Sequence, residues 1–280
     1  KMHVYKHPKE DRTFYAPDTE PSLDLATPVL GISGLHNYSQ PRPRLQTNAL
    51  MAMPSFGSGP EGSYMGNDFR AAYVPGCGLT GAGQSVGLVQ FDGYDPADII
   101  YYENQAGLPH VTLTNVLIDG FDGRPSGWGG EVEVCLDIQT VISMAPGLSK
   151  VIVYAAGPYG NWHDMLNSMA NDTNSAGYPA ACQLSCSWYS PGAPADPVAD
   201  QIWMQMAAQG QSFFNASGDS DAHTGPISFP GDSPYITQVG GTTLFTSGPE
   251  GTWESETAWN WGNGVGTGGG VSTYYSIPSW

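Results

Sequence analysis

From residue 85 onward, apolar runs of five to seven residues alternate with stretches of helical length, and this rhythm constrains the fold more than any other feature of the chain. Ser85–Phe91, Val111–Leu117, Lys150–Ala156, Cys182–Trp188, Gln211–Ser217 and Ile236–Gly240 read as strands. Pro96–Gln105, Gly130–Met144, Trp162–Ala170 and Ala199–Ala208 read as helices between them. Near-continuous apolar strands have to be covered on both faces, and strands joined through helices run parallel. The expectation is an α/β fold with one parallel sheet and helices on both faces. In such sheets the groups that carry chemistry gather beyond the carboxyl ends of the strands. Residues 262–270, rich in glycine, read as a mobile surface loop.

Three acids stand out against this frame. Glu133 and Asp137 lie four apart in Gly130-Glu-Val-Glu-Val-Cys-Leu-Asp137, which puts both carboxylates on one helix face, close enough to perturb each other's titration. Asp219, in Ser217-Gly-Asp-Ser220, directly follows an expected strand. Together they read as an acid-adapted hydrolase site. Glu131 lies six residues before Asp137, about 120° away around the helix, and is assigned to the helix start, where its charge suits the dipole. Cys135, between the two acids, points away from both and reads as a packing thiol.

Net charge is −17 and unevenly placed: residues 1–48 hold six of the nine basic side chains and five acids, giving +1, and the rest carries −18. Such a body repels nucleic acid and anionic membrane at neutral pH, and protonation of its acids relieves the self-repulsion. No apolar run approaches the ~20 residues of a membrane span. Neither nucleic acid nor membrane is expected as a partner. The four cysteines follow no disulfide or zinc spacing, and no metal ligands are assigned. The six histidines include no Gly-His-Gly and none near a candidate nucleophile, and no Gly-x-Ser-x-Gly occurs, which disfavours Ser-His-Asp chemistry. Asn37, Asn171 and Asn215 match glycosylation sequons.

Helix-borne Glu-x-x-Leu-Asp, then Ser185-Cys-Ser-Trp188, then Ser-Gly-Asp-Ser, then Gly268-Gly-Gly-Val-Ser272 before Pro278-Ser-Trp280 resemble in order the sedolisins, serine-carboxyl peptidases, and in particular their kumamolisin-like members. The resemblance implies a subtilisin-like parallel sheet, incomplete here at its C-terminal end. It also implies an acid-active serine-type peptidase in which Glu133 is the general base, Asp137 orients it, and Asp219, protonated, stabilises the oxyanion. The nucleophile of that family sits in Gly-Thr-Ser-x-Ser, downstream of the Pro-Ser-Trp marker. No such segment precedes Trp280 and the chain opens at Lys1, so an internal fragment, inactive alone, is expected. By the same resemblance Ser185, Ser187, Trp188, Gly268, Gly269 and Gly270 are expected to line the substrate cleft.

Gly34-Leu-His-Asn37 is similar to the end of the family's prosegment. Residues 1–48 are accordingly read as the end of a prosegment with its linker, and 49–280 as a partial catalytic domain. The +1 segment is expected to hold the −18 body near neutral pH and to release it in acid. The family's calcium ion is implied, with ligands outside this chain. The partners implied are a polypeptide substrate and the chain's own prosegment, on an extracellular monomer. Two departures stand: Gln90 occupies the place of a glutamate that pairs with the tryptophan in kumamolisin-like members, and Tyr189 replaces a small residue. They favour, as alternative, a non-catalytic member that binds peptide or polymer. A glycosidase is disfavoured, because its carboxylates face each other across a cleft.

Overall fold

The computed structural model describes residues 1–24, 26–45, 56–193 and 195–279. The chain opens with an antiparallel hairpin, β1 (Met2–Lys6) on β2 (Thr13–Pro17), and crosses with little regular structure to the two-residue β3 (Arg42–Pro43). The expected boundary at residues 48 and 49 lies outside the described residues, as does Trp280 of the Pro-Ser-Trp marker.

After α1 (Asn67–Tyr73) comes the alternation itself: β4 (Ser85–Gln90), α2 (Pro96–Ala106), β5 (Leu113–Leu117), α3 (Glu131–Met144), β6 (Lys150–Ala155), α4 (Trp162–Asn171) and β7 (Gln183–Cys186). It continues with β8 (Trp188–Tyr189), α5 (Pro197–Ala208), β9 (Ser212–Ala216) and β10 (Thr237–Val239). The helix starts carry local signals. Asp95 and Asp196 accept backbone N–H groups at the caps of α2 and α5, each with proline next in sequence, where its fixed φ and missing N–H cost nothing.

Among the described residues, six strands form one parallel sheet in the order β10-β9-β7-β4-β6-β5. The last four residues of β4 and the last five of β6 are buried, on both faces of the sheet, the covering that their continuous apolar character demanded. On α3, Val134, Ile138 and Ile142 repeat every four residues and are fully buried in the core, leaving Glu133 and Asp137 on the flank of that buried stripe. Strand order reverses at β4: the chain builds to one side through β5 and β6 and to the other through β7, β9 and β10. Such a switch point opens a crevice at the carboxyl ends of the two diverging strands, here β4 and β7.

Three expectations change. The run Cys182–Trp188 is not one strand; β7 stops at Cys186, and Trp188–Tyr189 pairs with β3 instead. Asn215 fixes the break by donating to the carbonyls of Cys186 and Trp188. That residue is 1% exposed, so its sequon offers no acceptor in the folded chain. Residues 2–17, for which no element was expected, pair as a hairpin. Residues 262–270 are an ordered element in part: β13 (Asn260–Gly262) turns at Asn263 and Gly264 into β14 (Val265–Gly266). Both turn residues have positive φ, +56° and +82°, the geometry that Asn-Gly hairpins adopt. Between them and the sheet lies a further hairpin, β11 (Thr242–Thr246) with β12 (Trp253–Ala258), for which no element was expected. No helix among the described residues is long and apolar enough to cross a membrane.

Candidate active site

The crevice holds the helix-borne acids. Gln90, the last residue of β4, donates its amide to Asp137 Oδ2 at 2.7 Å and accepts the Trp188 indole N–H at 2.8 Å. Ser187 Oγ donates to the other Asp137 oxygen, Oδ1, at 2.7 Å. Both Asp137 oxygens therefore accept a hydrogen bond. Glu133, one turn earlier and 4% exposed, accepts through Oε2 the backbone N–H of Leu45 at 3.0 Å. The start of α3 comes this close because Gly130 has no side chain: a Cβ there would sit 2.7 Å from Asp92 Oδ2 and 2.9 Å from the Trp188 ring. Asp92 is a buried acid that no motif reading had marked. It accepts the N–H groups of Gly93 and Ser126 and the Ser126 hydroxyl, which anchors the loop entering α3.

Burial is the main force on both carboxyls of the pair and pushes each well above the usual carboxylate range. Asp137 and, less strongly, Asp219 push Glu133 further up, and the Leu45 amide pulls it back. At Asp137 the Ser187 and Gln90 donors oppose the rise. Two such groups on adjacent helical turns titrate as a unit and hold a shared proton over an extended pH range.

Asp219 follows β9 on a half-buried turn, and its carbonyl accepts the Gly266 N–H at 3.2 Å. The three glycines expected as cleft wall lie beside this turn. Gly268 N–H donates to the Gly218 carbonyl, and the Gly269 carbonyl accepts the His223 N–H. Of the other expected cleft residues, Ser185 is half-buried in β7 and Ser187 is committed to Asp137. Trp188 is 2% exposed, with its ring 5.8 Å from that of Phe91; it is a packing aromatic with its N–H spent on Gln90. Cys135 is no nucleophile candidate, since burial lifts its thiol to about 11. Among the described residues, no cluster of three or more His, Cys, Asp or Glu is disposed to hold a metal ion.

Gln90 is fully buried and bridges two buried partners, so Gln90→Leu is expected to leave both without their bonds. At ~1–3 kcal/mol for each buried group left unsatisfied, a loss of about 2–6 kcal/mol follows, measurable by urea unfolding. A loss below ~1 kcal/mol would show that the bridge is not maintained.

A second segment enters the crevice. Arg42 and Pro43 pair antiparallel with Tyr189 and Trp188, Arg44 N–H donates to the Ser187 carbonyl at 2.8 Å, and the Arg44 guanidinium carbon lies 4.2 Å from the centre of the Tyr189 ring. These residues carried no sequence signal beyond Pro-Arg-Pro-Arg, which read as linker.

The fold recurs in known proteins. The chain is 29% identical to kumamolisin of Bacillus sp. (strain MN-32) over 294 residues, 99% of this chain and 52% of that protein. It is 30% identical to sedolisin of Pseudomonas sp. (strain 101) over 280 residues, 92% of this chain and 48% of that protein. The solved structure of Pseudomonas sedolisin, a serine-carboxyl proteinase complexed with two molecules of pseudo-iodotyrostatin, superposes with a TM-score of 0.63 at 25% identity, covering 78% of this chain and 66% of that one. In sequence and fold the chain resembles the sedolisins. No family model matches it. The chain spans about half the length of those two relatives.

Proposed function

We propose that the protein to which this chain belongs is an acid-active serine-carboxyl peptidase, with Glu133 as general base, Asp137 orienting it, and Asp219 as oxyanion donor. The observation that carries the reading is the buried Glu133–Asp137 pair, Asp137 held between two donors, with Asp219 close enough to act on Glu133 electrostatically. Peptide hydrolysis needs a nucleophile, a base for its proton and a donor for the developing oxyanion. The nucleophile is assigned to a serine downstream of Trp280.

The working state is the singly ionised pair facing a protonated Asp219. It empties on the acid side, when the pair takes its second proton, and on the alkaline side, when Asp219 ionises. A histidine base would be protonated and idle in that range. The same reading makes residues 1–48 the end of a prosegment and places the protein in an acidic extracellular setting, with a polypeptide as substrate. Calcium stays an expectation from the family; the described residues offer it no ligand cluster, and no step runs through it. The test is casein hydrolysis by the full-length gene product across pH. A bell-shaped profile on the acid side is expected; a folded, matured protein without activity at any pH overturns the reading.

A further inference from the structure

The described part of the N-terminal segment ends inside the crevice in the pose of a substrate. Three successive backbone positions are held along one strand edge: Arg42 opposite Tyr189, Pro43 opposite Trp188, and Arg44 N–H on the Ser187 carbonyl. This is strand addition, the usual way a groove holds an extended peptide. The next amide, that of Leu45, donates to Glu133 Oε2 at 3.0 Å. In acyl transfer, the base that takes the nucleophile's proton afterwards delivers it to the leaving nitrogen. A peptide nitrogen already on the base carboxylate is therefore positioned as the leaving nitrogen, and the carbonyl before it as the one attacked. Asp219 acts electrostatically on both Glu133 and Arg44, as a group beside the same bond must.

The Arg44 side chain also has a fitted place. Its guanidinium lies against the Tyr189 ring, a cation–π contact, and fills the space beside Gly218, where a Cβ would come within 2.9 Å of Nη1. Gly218 has φ +106°, so the turn demands glycine and leaves that space open. Arg44 Nε and Nη2 are buried there with no hydrogen-bond partner among the described residues.

We propose that Arg44–Leu45 is the bond this protein cuts in itself, and that Tyr189 with Gly218 forms a pocket selecting arginine on the acyl side of the scissile bond. The inference rests on the peptidase reading. The serine Oγ attacks the Arg44 carbonyl carbon and gives its proton to Glu133. The C–N bond breaks as Glu133 passes that proton to the Leu45 nitrogen, which departs as an amine. Water then hydrolyses the ester, releasing the Arg44 carboxylate and restoring the serine.

The test follows acid maturation of the full-length precursor by N-terminal sequencing and intact mass. It also compares kcat/KM on peptides of the form acetyl-Gly-Pro-X-Leu-Gly-amide with X as Arg, Ala or Glu. A new terminus at Leu45, loss of that terminus in Arg44→Glu, and at least about tenfold preference for Arg over Ala and Glu are expected. Tyr189→Ala is expected to cut the Arg-to-Ala ratio several-fold, and Tyr189→Phe, which keeps the ring, to retain it. Casein hydrolysis with a first terminus elsewhere and no arginine preference overturns the inference and leaves the peptidase reading intact. No hydrolysis of casein or of any peptide overturns both.

Discussion

Glu133→Gln in the full-length protein is expected to lower kcat/KM on a peptide substrate by about 10²–10⁴-fold, the range that a positioned general base contributes. Glutamine keeps the length and the acceptor oxygen, so the Leu45 amide retains its partner, and what is lost is the capacity to take a proton. The same variant has a second readout. Both carboxyls of the pair are raised in the folded chain, chiefly by burial, so above the unfolded values of about 4 the folded state holds more protons than the unfolded one. Stability contributed by the pair is then fully present below pH ~4 and falls as pH rises, at about 1.4 kcal/mol per unit for each retained proton. In Glu133→Gln one titrating group is gone and its push on Asp137 with it, so the difference in unfolding free energy from wild type should grow in the variant's favour with pH. Urea titrations at several pH values give that difference directly. Parallel curves would remove the buried-pair account, and undiminished kcat/KM would remove the base.

At Asp219 the largest effect is expected from alanine: about 10²–10³-fold in kcat, the cost of losing one oxyanion donor. Asparagine separates a donor from a charge. If Asp219 works protonated, Asp219→Asn supplies a permanent N–H donor, retains more activity than alanine, and moves the fall on the alkaline side of the pH profile upward, since no carboxyl remains there to ionise. If instead its negative charge matters, asparagine and alanine will fail alike. Stopped-flow acylation at several pH values distinguishes the two.

The carboxylate pair itself was legible because helix periodicity is local: an i, i+4 spacing fixes one face whatever surrounds it. The sheet was legible for a similar reason, since continuous apolar runs leave only a two-faced, parallel arrangement. The Asn263-Gly264 hairpin was also readable from its turn residues, yet the glycine richness around it suggested mobility. Two features had no such local signal. The break of the Cys182–Trp188 run at Ser187 depends on Asn215, one strand away. The role of Gln90 depends on bringing Asp137 and Trp188, 47 and 98 residues distant, to its two ends.

By itself the sequence determined a parallel α/β sheet, the helix carrying Glu133 and Asp137, and the turn bearing Asp219 beyond a strand, because each follows from periodicity and neighbours along the chain. Only the tertiary structure decided that Asp137 is clamped by Gln90 and Ser187, that Trp188 is buried, and that Arg44 and Leu45 lie on Tyr189 and Glu133. Those contacts join residues from 47 to 145 positions apart, and hydrogen bonds and burial at such separations are set by strand order and crevice shape, which no local pattern encodes.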